Sequence, residues 1–541
     1  MHQWQILHKE KTSSEKEILP IILANRKITG QKEITAFLHP DLKELTIANS
    51  GLKKEELAKA AERIKQALKN KESIVVYTDY DVDGVCGGAI VWETLYELKA
   101  NVMPYIPHRS GEGYGLSKKG IDRIQKEFNP KLIITVDHGI SAEEEINYAK
   151  TLGMETIILD HHLKPAKIPN VVALIHTTSL CSGGIAWFFR QFLLQKNDNL
   201  DLAAMATVAD LMPLTGLNRV IVKFGLEQLN KTKRLGLNAL IKESGMKKGE
   251  IGVFEIGHIL APRINAMGRL EHALDALRLI CTKDESRALE LSRKLSLTNR
   301  TRQEMMQQSS EHAIRLVSKE TIGKLLFVVH ETYNEGVIGL IAGKLVETYW
   351  RPAIVVSKGP EYSKASARSI AGLNIVELIR EASDLLVNVG GHPMAAGFTV
   401  ETKNLEKLRQ RLTDITEAKL TEEKLVRVKK IDLELDFPQI NKQLFKLIQQ
   451  ISPFGIGNPE PVFASRQADV INASQIGKDK KHLRLYLRQG NILLSAIGFG
   501  MGENFSKLSS DKPVDIAYTI DLNTWNGKEK LQLKLKDIKI L

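Results

Sequence analysis

Three short apolar runs in the first third of the chain each stop abruptly on charge. SIVVYTD leads into Asp79-Tyr80-Asp81-Val82-Asp83-Gly84, KLIITVD into Asp137-His138-Gly139, and METIILD into Asp160-His161-His162. Between the runs lie helix-patterned stretches, GGAIVWETLYEL and SAEEEINYAKTL. Strands alternating with helices of this length predict an α/β domain with a parallel, doubly wound sheet. In such a sheet ligands bind at the carboxyl ends of the strands. The pattern therefore delivers three acidic or imidazole clusters to one edge of one sheet.

A single Asp at a strand end is ordinarily a turn former or a helix N-cap. Three consecutive strand ends carrying such clusters are harder to ascribe to turn chemistry. A further apolar stretch, AAMATVADLMPL, again stops on an aspartate, Asp210. Hard oxygen ligands with a few imidazoles suit Mg²⁺ or Mn²⁺ better than zinc. Two such ions sharing a bridging carboxylate would offset the repulsion among Asp79, Asp81 and Asp83. Paired metals clamp the attacking and leaving oxygens in phosphoryl displacement.

The rest of the chain divides by pattern. At 541 residues it is too long for one core. Residues 1–70 are charged and helix-patterned, and the α/β alternation occupies 71–282. A long polar helix without Pro or Gly spans 283–320, a second α/β lobe (KLLFVVH, GVIGLIAGKLVETY, PAIVVSK) occupies 321–415, and from 425 to 541 period-2 patterning predicts a small β-barrel. Lys and Arg number 76 against 64 Asp and Glu, and the excess of +12 invites a polyanionic partner. The three cysteines lie far apart and form no CxxC pair, which argues against a disulfide framework or a zinc knuckle. The start lacks the apolar core of a signal peptide and no run of about 20 apolar residues occurs, so a cytoplasmic protein is expected.

"DYDVDG", "VDHGIS", "DHH" and "TVADLMPL", in this order, resemble the four motifs of the DHH phosphoesterase superfamily, and "SARSIAGLNI" with "GGHPMAAG" (390–397) resembles its associated second domain. "RSGEGYGLS" (109–117), "LAPRINAMGRL" (260–270) and "PFGIGNPEPVF" (453–463) are similar to the RecJ exonucleases in particular. The resemblance covers about residues 70 to 541. His138 stands where these sequences often have Asn or Cys. It implies two α/β lobes (a DHH domain and a DHH-associated domain) joined by the long helix, plus a C-terminal barrel of the oligonucleotide-binding (OB) type.

Carried over position by position, the resemblance implies metal ligation by Asp79, Asp81, Asp83, Asp137, His161 and Asp210, with Asp137 as the bridge. His162 is implied beside the scissile phosphate, Asp160 as the group orienting a histidine, and His392 as a contribution from the second lobe. Arg109, Arg269, Ser366 and Arg368 are implied as a terminal-phosphate pocket, while Gly390 and Gly391 let backbone approach a phosphate. Aromatic Phe463, Tyr486, Phe499 and Trp525 are candidates for base stacking, and the KDKKHLR stretch (478–484) for backbone contact. The implied activity is 5′-to-3′ hydrolysis of single-stranded DNA to mononucleotides with two Mn²⁺ or Mg²⁺ ions, in DNA repair and recombination. The implied partners of a monomeric enzyme are single-stranded DNA, a single-strand-binding protein and a helicase. Two other readings stay open: a phosphodiesterase for short oligoribonucleotides or cyclic dinucleotides, which would not need the barrel, and a non-catalytic DNA-binding relative, against which the full ligand set argues.

Overall fold

The three apolar runs fold as strands of one parallel sheet, completed by two short strands that periodicity did not reveal. In chain order these are β1 (Ser73–Thr78), β2 (Asn101–Tyr105), β3 (Leu132–Val136), β4 (Glu155–Asp160) and β5 (Ala173–His176), arranged β2-β1-β3-β4-β5. β1, β3 and β4 are interior and buried almost throughout, which is why they read as continuous apolar runs and not as alternation. From β1 the chain passes to β2 on one side and then to β3 on the other. The crevice at such a reversal, beyond the carboxyl ends of β1 and β3, is where ligands bind. The description is of a computed structural model and covers residues 3–10, 14–108, 111–113, 115–319, 321–508, 512–525 and 528–541, the side chains of 524, 525 and 528 excepted.

Helix α1 (Val82–Glu97) starts four residues after β1 and packs tightly under it. A Cβ at Gly84 would lie 2.6 Å from the Asp79 carbonyl oxygen, and one at Gly88 would lie 2.5 Å from Thr78 Cγ2. The glycines of the opening motif thus permit a close strand-to-helix turn. Helices α2 (Ser182–Leu194) and α3 (Leu200–Ala209) are largely buried beside it. Helix α4 (Ala261–Leu270) follows, and then α5 (Glu285–Val317), 33 residues long.

The chain forms two compact units, the larger holding residues 4–265, 273–292 and 429–541, the smaller 266–272 and 293–428. In the smaller unit β6 (Leu326–His330), α6 (Ile338–Tyr349), β7 (Ala353–Ser357), β8 (Tyr362–Arg368), β9 (Leu386–His392) and β10 (Ala395–Glu401) build a sheet ordered β9-β10-β8-β7-β6. Only the β6–β7 pair in it is parallel.

The larger unit ends in β11 (Val428–Glu434), β12 (Phe463–Ile476), β13 (His482–Gln489), β14 (Ile492–Gly498), β15 (Val514–Trp525) and β16 (Lys528–Ile540). The order β12-β13-β14-β16-β15 closes on itself because β12 also pairs with β15, giving a five-stranded barrel of OB type. The first 70 residues are not only helical. A strand, Gln3–His8, lies beside β11, and the helix Glu15–Asn25 sends Ile18, Ile22 and Leu23 into the barrel core. Arg219 ties this assembly to the sheet domain, donating to the carbonyls of Phe37, Gln450, Ile451, Ser452 and Pro453. Among the described residues no helix is long and apolar enough to cross a membrane.

Candidate metal centre

The carboxylates gather where β1 and β3 end, and backbone features place Asp81, Asp83 and Asp137. Asp81 is the N-cap of α1, its Oδ1 accepting from Gly84 N–H at 3.0 Å. Asp83 points from the first turn of α1 to the start of α2, where its two oxygens accept N–H groups from Ser182 (2.8 Å) and Gly183 (2.7 Å). A Cβ at Gly183 would sit 2.4 Å from the Ala206 Cβ, so only glycine lets the start of α2 pack this close to α3. Asp137 has φ +70°, a left-handed conformation that costs a non-glycine residue free energy and is found at sites where function over-determines the backbone. The Ser182 hydroxyl donates to Asp137 Oδ1 at 2.9 Å. Asn265, on α4, accepts the Val82 N–H at 3.1 Å and so braces the loop between the aspartates.

The histidines arrive from β4. Asp160 accepts from the N–H groups of Ile140 and His162, and its Oδ1 lies 2.7 Å from His162 Nδ1. Burial would raise this carboxyl, but the bonds from His162 and the backbone outweigh it and hold the pKa at about 2. Burial lowers His162 in turn, but Asp160 wins and raises its pKa above the ordinary value. His161 Nε2 lies 3.3 Å from Asp137 Oδ1 and 3.7 Å from both Asp83 Oδ2 and Asp210 Oδ2. Burial depresses the His161 pKa, favouring the neutral imidazole that ligates cations. Asp210 comes as the C-cap residue of α3, not from a strand.

Three overlapping groups, Asp79–Asp81–Asp137, Asp83–His161–Asp210 and Asp137–His161–His162, each bring their ligand atoms within 4.8 Å of one another. Asp137 and His161 each belong to two groups. Like charges held this close resist ionisation. Burial, then Asp83, raises Asp81; burial, then Asp83, Asp81 and Asp79, raises Asp137 well above the carboxylate range; and burial, then Asp83 and Asp81, pushes Asp210 up to about 8. A divalent cation reverses that sign by making the ionised form favourable. Carboxylate oxygens with one or two imidazoles fit Mn²⁺ or Mg²⁺. His138 stands apart: it is buried, makes an edge contact with the Tyr77 ring, and burial depresses its pKa to about 4.

His392, Gly390, Gly391, Arg269, Ser366 and Arg368 lie in the smaller unit. His392 is exposed at the end of β9, opposite Ala395, and Gly390 pairs with Gly397. Gly391 has φ +140°, and a Cβ there would lie 2.3 Å from the Ala395 carbonyl oxygen. Arg269, Ser366 and Arg368 gather around the segment leading into α6. Arg269 donates to the Gly336 carbonyl at 3.1 Å, Arg368 donates to Ser366 Oγ at 3.1 Å, and a Cβ at Gly339 would come 2.9 Å from both Arg368 Nη2 and Ser366 Oγ. Arg109 and the Trp525 side chain lie outside the described residues. Of the aromatic candidates, Phe463 is core and is withdrawn as a stacking residue, because it points inward on β12; Tyr486 and Phe499 are exposed. Ser182, Gly183 and Asn265 are not evident from sequence, since nothing local in CSGG or APRIN marks them as partners of distant aspartates or of the turn between them.

The chain matches the DHH family N-terminal domain over residues 73–214, the DHHA1 domain over 322–418 and the RecJ OB domain over 431–537. It is 39% identical to the single-stranded-DNA-specific exonuclease RecJ of Bacillus subtilis, covering 89% of this chain but only 63% of that one. The chain thus spans less than two thirds of that relative's length. It is 30% identical to the RecJ of Salmonella typhimurium, covering 88% of this chain and 89% of that one. Among solved structures, RecJ from Thermus thermophilus in complex with Mn²⁺ superposes with a TM-score of 0.85 at 27% identity, over 99% of this chain and 79% of that one. An exonuclease RecJ bound to manganese gives 0.60 at 31% identity, over 68% and 96%. With the motif order, the barrel and the strand-end carboxylates in agreement, the chain belongs to the RecJ family of single-stranded-DNA-specific exonucleases.

Proposed function

We propose that the chain is a metal-dependent exonuclease that hydrolyses single-stranded DNA from the 5′ end to mononucleotides, with Asp79, Asp81, Asp83, Asp137, His161 and Asp210 as ligands for two Mn²⁺ or Mg²⁺ ions. The observation that carries this reading is the overlap of the three ligand groups at Asp137 and His161. Bound divalent ions supply Lewis acidity and charge neutralisation for in-line attack of water on a phosphodiester. The protein's own part is positioning. The α2 amides aim Asp83, the Ser182 hydroxyl aims Asp137, and Asp160 holds His162 through Nδ1. With Nδ1 so engaged, His162 offers its Nε2 proton to a phosphate oxygen, and the raised pKa keeps that proton available.

Polarity requires recognition of the strand terminus, because internal phosphodiesters look alike to the metals. Arg368 with Ser366 and Arg269, joined by Arg109, would hold a 5′-phosphate. His392 would complete the site, and Gly390 and Gly391 would admit the backbone. The enzyme would act as a cytoplasmic monomer in DNA repair and recombination, alongside a single-strand-binding protein and a helicase. The closed barrel favours long strands over oligoribonucleotides or cyclic dinucleotides. The test is digestion of 5′- and 3′-labelled single strands and duplex with Mn²⁺ or Mg²⁺. Early release of the 5′ label from single strands alone is expected; equal release from both ends, or from duplex, would refute the reading.

A further inference from the structure

The long helix α5 carries a buried stripe whose chemistry changes along its length. It begins with Ala288, Leu291, Leu295 and Ser292, whose hydroxyl is satisfied by the Leu289 carbonyl of its own helix, becomes polar at Thr298, Asn299, Arg302 and Ser310, and turns apolar at Ala313 and Val317. A buried helical face is ordinarily apolar throughout. Here Arg302 is 9% exposed and Ser310 5%, with the Ser310 hydroxyl lacking a hydrogen-bond partner among the described residues.

The other buried guanidiniums among the described residues are each met by carboxylates or by a ring of carbonyls. Arg63 meets Glu72 and Glu155, Arg190 meets Glu97 and Asp198, and Arg219 is ringed by five carbonyls. Arg302 donates from Nε to Asn299 Oδ1 at 3.1 Å, and among the described residues it has no acidic partner. Asn299 is itself buried and sits one turn earlier on the same face, so it orients the guanidinium without neutralising it. Burial depresses the Arg302 pKa, the mark of a cation without its counter-charge. A buried, unpaired cation is costly, and an anion brought within reach of it relieves that cost.

We propose that the polar window of α5, centred on Arg302 and oriented by Asn299, binds an internal backbone phosphate of the single strand. This rests on the exonuclease reading but is distinct from the terminal-phosphate pocket. The guanidinium fork matches two oxygens of a phosphodiester. Strand grip of this kind is independent of sequence and sensitive to salt.

The test uses the full chain, a 3′-fluorescein oligodeoxythymidylate with a 5′-phosphate, and Ca²⁺ in place of the catalytic ions. Anisotropy across a salt series gives Kd and its salt slope, and thermal unfolding is followed in parallel. Arg302→Gln should weaken binding about tenfold. It should also flatten the slope of log K against log salt by about 0.7, one released counterion on a single strand. The unfolding midpoint should hold or rise, because an unpaired buried charge is gone. Arg302→Lys keeps the charge and should keep the slope while losing part of the affinity. An unchanged slope with a lowered midpoint in Arg302→Gln, or full affinity in Arg302→Lys with a misfolded Arg302→Gln, would assign Arg302 to structure and overturn the proposal. Wild-type protein that fails to bind the strand would instead remove the exonuclease reading beneath it.

Discussion

Replacing Ser182 by Ala isolates what the protein contributes to the metal centre. The hydroxyl donates to Asp137 Oδ1 at 2.9 Å, while the backbone N–H of the same residue serves Asp83 and survives the substitution. Both residues are buried, so water does not readily replace the lost donor. A hydrogen bond to a charged group contributes about 1.5–3 kcal/mol. All of that is lost from the ionised Asp137 that a cation needs, and little from the protonated form of the metal-free protein. Metal affinity should therefore fall by about 10- to 100-fold, the range typical for groups that orient a ligand. Isothermal titration with Mn²⁺ reads the affinity directly, and the Mn²⁺ concentration for half-maximal turnover should rise in parallel, with turnover at saturating Mn²⁺ close to wild type. Unchanged Mn²⁺ affinity would refute the assignment of Ser182 as the group that aims Asp137.

Asp137→Ala should abolish turnover yet raise the unfolding midpoint in chelator, since it removes one of several mutually repelling buried acids; a lowered midpoint would contradict the crowding described above. Arg368→Ala should erode the preference for 5′-phosphate over 5′-hydroxyl ends by roughly tenfold or more, more than it slows the hydroxyl substrate, as kcat/KM on the two ends will reveal. Arg219→Met removes the donor to five carbonyls, of which those of Ile451 and Pro453 keep Asn458 Nδ2 while those of Phe37, Gln450 and Ser452 lose theirs. At about 1 kcal/mol or more each it should cost several kcal/mol in urea unfolding. For Asp160 the folded pKa of about 2 lies below the unfolded 3.8. Its stabilisation, about 2 kcal/mol, is thus present above pH about 4 and lost as pH falls through about 2. Asp160→Asn should remove that acid-side slope from chemical unfolding measured at successive pH values.

Local pattern carried the sheet and most of its site. β1, β3 and β4 were legible because interior parallel strands are apolar on both faces, and a parallel sheet sends all its strand ends to one edge. That geometry gathers Asp79, Asp81, Asp83, Asp137, His161 and His162 without any knowledge of packing. β2 and β5 were not legible, because short outer strands are only partly buried and carry no such run. Nor were the groups that aim the ligands. Ser182 lies 99 residues from Asp83, and its two contacts exist only because α2 starts against α1 through Gly183. The left-handed backbone of Asp137, the Asn265 brace and the five-carbonyl clamp on Arg219 likewise follow from which elements pack together. The same holds for the unpaired charge of Arg302. In the sequence it is one arginine among many on a polar helix, and only its burial makes the missing partner visible. Periodicity is a property of neighbours along the chain, whereas the orientation of a carboxylate and the neutralisation of a buried cation are set by groups that tertiary folding brings across the chain.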